Sequence, residues 1–215
     1  MKLPFTINQF MDVFAQYNQT VWPAQVIANL LALVALYMLS RGTRRADQTI
    51  NGILAGLWFW TGLVYHLGFF SPINKAAYGF GILFILQGFI FLISGVFKNK
   101  ISYRFRLDAF SGLGGLFILY GLVIYPILGY FLGHRYPQAP TFGVPCPTTI
   151  FTFGILLWTG AKLPKYVLVI PLVWSIIGFT AALTLGILED IGLLAAGLLG
   201  TAGIFIKDRK AGENV

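Results

Sequence analysis

The sequence predicts an all-α membrane protein: a bundle of seven transmembrane helices, N-terminus outside and C-terminus cytoplasmic, preceded by an amphipathic interfacial helix. Three observations carry this. Of 215 residues, 57% are hydrophobic and 10% charged, against roughly 25% charged in an ordinary soluble domain. Seven apolar stretches approach the length of about 20 residues that a bilayer-spanning helix needs. Lys and Arg fall almost entirely on alternate loops, the pattern that marks the cytoplasmic side.

The chain divides into an interfacial helix (1–21), a transmembrane domain (22–207) with an irregular proline-rich outer loop (134–147), and a short tail (208–215). Thr6-Ile7-Asn8-Gln9 has capping-box spacing, with Phe5 and Phe10 placed as a hydrophobic staple, so a helix starts there. Ile7, Phe10, Met11, Phe14, Tyr17 and Val21 recur at helical spacing opposite Asn8, Asp12, Gln16 and Gln19, which makes this helix amphipathic and too polar to span. It is expected on the outer leaflet, or alternatively as a lid on the bundle. The same polar residues interrupt any compact apolar core, so no cleaved leader is expected.

The spans are expected at Trp22–Ser40, Ile50–Phe70, Ala76–Phe97, Ala109–Gly133, Pro147–Ala161, Tyr166–Leu188 and Ile191–Ile206. Gly52, Gly56 and Gly62, and Gly112, Gly114, Gly115 and Gly121, are read as packing positions where helices approach closely. The fifth span begins after a segment whose prolines forbid a continuous helix, and Pro147 suits a first helical position. At 15 residues it is about 22 Å long, and the last span, at 16 residues, about 24 Å, against a hydrocarbon core of roughly 30 Å. Two short helices on one side predict an outward-opening recess, because irregular backbone at membrane depth must be buried by protein or reached by water.

Of the 15 basic residues, only Lys2, Lys75 and Arg135 fall on the outer side. The net charge of +8 is read as topology and contact with anionic lipid, not as a nucleic-acid interface, since the charges sit in short clusters at helix ends. A single cysteine excludes an intrachain disulfide. Asp47, Asp108, Asp208 and Glu213 stand close to Lys or Arg and are expected as solvated ion pairs.

The remaining reactive side chains collect on the outer half: His66, His134, Cys146, Asp12, Glu189 and Asp190. His66 lies about 6 Å inside the end of its span, where a titratable group needs a partner or water. Cys146 precedes a helix start, where unpaired amides favour a thiolate. Glu189 and Asp190 occupy a tight hairpin and suit a cation or proton. His66, His134, Cys146 and Asp190 have the ligand types of a zinc or softer transition-metal site, although their spacings follow no ligand motif. Tyr136, Thr148 and Thr149, with Tyr125 and Tyr130, are candidates for a polar lining.

Two seven-helix classes are excluded. No lysine lies in the last span before Lys207, so no retinal Schiff base forms there, and two histidines are too few for a three-histidine zinc amidase. There is no Walker loop, Gly-x-Ser-x-Gly elbow or His-Glu-x-x-His pair.

At VFAQYNQTVWPAQ and YPQAPTFGVPCPTTIFTFG the chain resembles a family of small bacterial integral membrane proteins known only as a domain of unknown function, over nearly its whole length. The resemblance implies a multi-pass helical fold in a bacterial inner membrane and, for some members, a generic permease label. It carries over no site residue. The expected function is binding or translocation of a small solute or metal ion through an outward recess. The alternatives are a membrane-embedded hydrolase or thiol oxidoreductase using Cys146 and His134, or an accessory subunit. The bilayer is the expected partner, and a homo-oligomer is compatible with the sequence.

Overall fold

Helix α1 (Ile7–Thr20) opens on the capping box: Thr6 Oγ1 accepts from the Gln9 amide at 3.3 Å, and Gln9 Oε1 accepts from the Thr6 amide at 2.8 Å. Phe5 stacks on Phe10 with ring centroids 5.7 Å apart, which closes the staple. The computed structural model describes residues 4–213, with side chains as far as Lys210. Lys2, read as outer, and the Glu213 side chain, read as part of a solvated ion pair, lie outside the described residues.

Seven further helices follow: α2 (Ala24–Leu39), α3 (Arg44–Phe70), α4 (Ala77–Phe97), α5 (Ala109–Phe131), α6 (Pro145–Leu157), α7 (Lys165–Leu185) and α8 (Ile191–Glu213). Among the described residues all regular structure is helical. Helices α3, α4, α5, α7 and the segment Leu188–Lys210 are each long and apolar enough to cross a membrane. The 16-residue α2 is bent 81° from α1, and α6 has only 13 residues.

Three spans widen into π-helical turns, at Thr61–Phe70, Phe91–Phe97 and Tyr120–Ile124. Such turns break the ordinary ladder and recur at functional sites. In α3 the Ser71 amide bonds to the His66 carbonyl at 3.0 Å, five residues back.

Helix α6 is the axis of the bundle. Every residue of it except Cys146 is buried, and it packs chiefly against α5 and α8. Gly114 of α5 faces Gly154 of α6: a Cβ on either would stand 2.8 Å from the other's carbonyl oxygen, so the two backbones touch. Of the other glycines read as packing positions, Gly62 and Gly121 meet neighbouring backbone, whereas Gly56 and Gly112 meet nothing within 4 Å. Helix α2 is peripheral: Ala28, Ala32 and Ala35 face inward, while Ile27, Leu30 and Leu33 are exposed.

Two helix boundaries correct the sequence reading. The helix expected over Pro147–Ala161 runs from Pro145 to Leu157. Both prolines fit the first turn, whose amides need no intrahelical acceptor, so Cys146 lies inside the helix. The last helix does not stop near Ile206 but continues to Glu213. Lysine is a good helix former, and the Lys207 ammonium reaches sideways to the Leu157 and Thr159 carbonyls at 3.3 and 2.9 Å, capping α6 without ending α8. Of the two helices expected to be short, only α6 is, and the recess argued from both rests on one.

The basic loops converge at one end of the bundle. Arg104, between α4 and α5, pairs with Asp47 of α3 at 3.3 Å, and Lys165 pairs with Asp208 of α8 at 2.6 Å. These acids are not solvated as expected: Asp47 and Asp208 are 3% and 6% exposed and also accept from the Tyr103 and Leu163 amides. Exposed Asp108 caps α5 through the Ser111 amide at 2.7 Å.

Candidate functional site

At the opposite end, a second core cluster ties α1 to the bundle: Phe5, Phe14 and Tyr17 pack with Tyr65, Phe70, Ala77, Val144, Ala182 and Leu185. Helix α1 therefore roofs this end of the bundle. Tyr17 sits at the joint, accepting from Trp60 Nε1 at 2.7 Å and donating to the Gly143 carbonyl at 3.4 Å. Burial pushes its phenol up to about 12. Asn18 fastens the proline-rich loop, donating to the Pro137 and Ala139 carbonyls at 2.7 Å each and accepting from Thr141 Oγ1 at 2.9 Å.

Beneath this roof lies a cavity of about 540 Å³ between α1, α3, α4, α5, α6, α7 and the turn that precedes α8. Its lining is mainly aromatic and aliphatic, including Phe10, Phe14, Tyr65, Phe80, Trp174 and Ile177. Of the residues that line it, Pro4, Ala76, Thr180 and Thr184 are exposed, so it opens between the roof, the start of α4 and the C-terminal half of α7. The Thr180 and Thr184 hydroxyls donate to their own helix carbonyls, which leaves this mouth apolar in character.

Three predicted site residues meet in this cavity: His66, Cys146 and Asp190. Asp190 reaches it because Gly186 takes a left-handed conformation at φ 72°, closing α7 and turning the chain into the 3-10 turn Leu188–Asp190. Its carboxylate accepts from Tyr125 Oη at 2.6 Å, and the Cys146 thiol lies beside it and beside Trp174. His66, on the π-helical turn of α3, is wholly buried, and neither ring nitrogen has a hydrogen-bond partner. Phe84 and Trp174 flank its ring at 4.7 and 5.1 Å. An imidazole held this way leaves a donor and an acceptor unused beside an open volume, a costly arrangement unless something in the cavity meets them.

The other predicted residues lie elsewhere. Glu189 turns away from its neighbour: fully buried, it pairs through Oε1 with His134 Nδ1 at 2.6 Å, fastening the α7–α8 hairpin to the loop after α5. Tyr120 Oη supports the same hairpin through the Glu189 carbonyl at 2.7 Å. Tyr136 is 61% exposed, and Thr148 and Thr149 are buried in α6 outside the cavity lining. Thr149 donates to the Pro145 carbonyl at 2.8 Å. Among the described residues no three His, Cys, Asp or Glu side chains converge closely enough to hold a metal ion. The set His66, His134, Cys146 and Asp190 is divided because adjacent residues of one 3-10 turn point in different directions, Glu189 to His134 and Asp190 to the cavity. The Cys146–His134 pair is divided with it.

Tyr125, a candidate for the polar lining, does line the cavity, whereas Tyr65 and Trp174 escaped selection as site residues, being aromatic and able to fit either the lipid face or the membrane interface. Trp174 did carry a signal: it stands mid-helix in α7 (Lys165–Leu185), away from the interfacial belt where tryptophan is ordinarily enriched.

No curated protein and no solved structure matches the chain. A family of unknown function, DUF6064, matches residues 7–214, nearly the whole sequence and including every residue of the cavity except Pro4 and Phe5. The chain belongs to the DUF6064 family.

Proposed function

We propose that this is a bacterial inner-membrane protein whose helices α2 to α8 all cross the bilayer, with α1 outside and the C-terminus in the cytoplasm, and that it binds or translocates a small solute through the cavity under α1. Gathering of the basic loops at the end opposite the cavity supports the orientation, because short Lys- and Arg-rich loops are retained in the cytoplasm. Helix α6 is enclosed by protein, so its shortness costs nothing in lipid contact and leaves room above it.

The observation that carries the ligand reading is the buried His66, unpartnered at both nitrogens beside a volume open at one side. A mainly apolar pocket with a few convergent polar groups is the ordinary form of a small-molecule site. The mainly aromatic and aliphatic lining suits an organic solute.

The test is a thermal-stability screen of purified protein against a panel of small organic solutes, with Ala181→Trp alongside. Ala181 lines the cavity and is half-buried, so the indole fills the volume while the core stays intact. Solutes that raise the melting temperature of the native chain but not of Ala181→Trp establish the site. Equal shifts in both proteins reject it. Carboxy-terminal fusions to green fluorescent protein and to alkaline phosphatase report topology, and fluorescence with no phosphatase activity is expected.

A further inference from the structure

The electrostatics of the cavity narrow the solute to one class. Among the described residues no Lys or Arg lines it, and Asp190 is the only carboxylate that does. That carboxylate is 4% exposed and has neutral partners, the Tyr125 hydroxyl and the Cys146 thiol. Tyr65, Phe80, Trp174 and Phe14 line the same volume. Aromatic faces attract cations, most strongly where water is excluded, and a buried carboxylate has most to gain from a positive partner. An anionic solute would face a buried carboxylate with no compensating cation among the described residues.

From this juxtaposition we infer that the cavity binds a hydrophobic organic cation, an ammonium head carried on an apolar body, with the head between Asp190 and the aromatic walls. The inference rests on the cavity being a ligand site. Asp190 supplies the charge, and a neutral His66 imidazole accepts one ammonium N–H through the ring nitrogen that lacks a proton. The aliphatic and phenylalanine residues toward the mouth, among them Ile177, Phe10 and Leu185, take the body. Phosphorylated, sulfated or carboxylate solutes are excluded by the same arrangement.

The experiment compares three probes with one phenylbutyl body and different heads: 4-phenylbutylamine, 4-phenylbutanol and 4-phenylbutyrate. Their affinities are measured by calorimetry at neutral pH on the full chain in lipid nanodiscs, with empty nanodiscs subtracted. In the native protein the amine is expected to bind at least about tenfold more tightly than the alcohol, the scale of one charge-assisted hydrogen bond, with the butyrate weakest. Asp190→Asn removes the amine's advantage and leaves the alcohol's affinity within about threefold, which also shows that the variant is folded. Asp190→Glu keeps the preference for the amine. If the alcohol binds as well as the amine and both are lost in Ala181→Trp, the cation class is overturned while the ligand site stands. If no probe distinguishes the native chain from Ala181→Trp, the ligand reading falls and this inference falls with it.

Discussion

Replacing Gly154 with alanine tests the backbone contact that sets α6 in the bundle. A methyl group there would lie 2.7 Å from Ile118 Cγ1, 2.8 Å from the Gly114 carbonyl oxygen and 3.0 Å from the Ile118 amide nitrogen. The first atom can rotate away, but the other two are helix backbone, so α5 and α6 must separate. Overpacking of this kind costs about 1–3 kcal/mol, while removing a glycine from a helix interior returns up to about 1 kcal/mol. The balance is a loss of roughly 1–2 kcal/mol. Gly112→Ala, two residues before Gly114 in α5 and with nothing within 4 Å of the added methyl, keeps only the gain and is expected to be neutral or slightly stabilising. Reversible unfolding in mixed detergent, followed by circular dichroism, gives both values. Should Gly154→Ala prove as stable as Gly112→Ala, the close α5–α6 packing is refuted.

Asp47→Ala removes the acceptor shared by the Tyr103 amide and the half-exposed Arg104; a loss of about 1–3 kcal/mol, mainly from the unpartnered buried amide, is expected in the same assay, and one below about 0.5 kcal/mol would contradict the buried acceptor. His134→Ala strands the buried Glu189 carboxylate and should cost about 2–3 kcal/mol, with part of the loss recovered in His134→Ala/Glu189→Gln; additive losses would show that the two do not interact. Tyr17, at about 12 in the fold against the ordinary 10.0, keeps its proton where the unfolded chain has released it. Stability therefore falls as pH rises from about 10 to 12, by on the order of 2–3 kcal/mol from this group. Tyr17→Phe should flatten that decline relative to the native chain, and parallel pH curves would refute it.

Much of the fold was legible because its signals are local. The capping box at Thr6 and Gln9 and the staple of Phe5 on Phe10 depend on residues a few positions apart, and the structure bears them out. Apolar length likewise located the long helices. Boundaries set by distant partners were not legible: Lys207 reads as a terminus, yet it continues the helix because its ammonium caps α6 across the bundle. The site divides in the same way. The outer-half reactive residues stand out by type, but separating Asp190 from Glu189 required the turn that sends one to the cavity and its neighbour to His134. The aromatic walls depend on how each helix is rotated about its axis, which apolar sequence with faint periodicity does not encode.

The claim that the cavity under α1 receives a solute is tested most directly by Cys146, the only cysteine in the chain, which is partly exposed and lines that cavity. The rate of its modification by methyl methanethiosulfonate, followed by intact mass in the folded protein, reports access to the volume. The account predicts modification of the native chain that is slowed by 4-phenylbutylamine in proportion to occupancy and strongly slowed in Ala181→Trp. A rate indifferent to both would contradict it, as would a thiol that reacts only after unfolding.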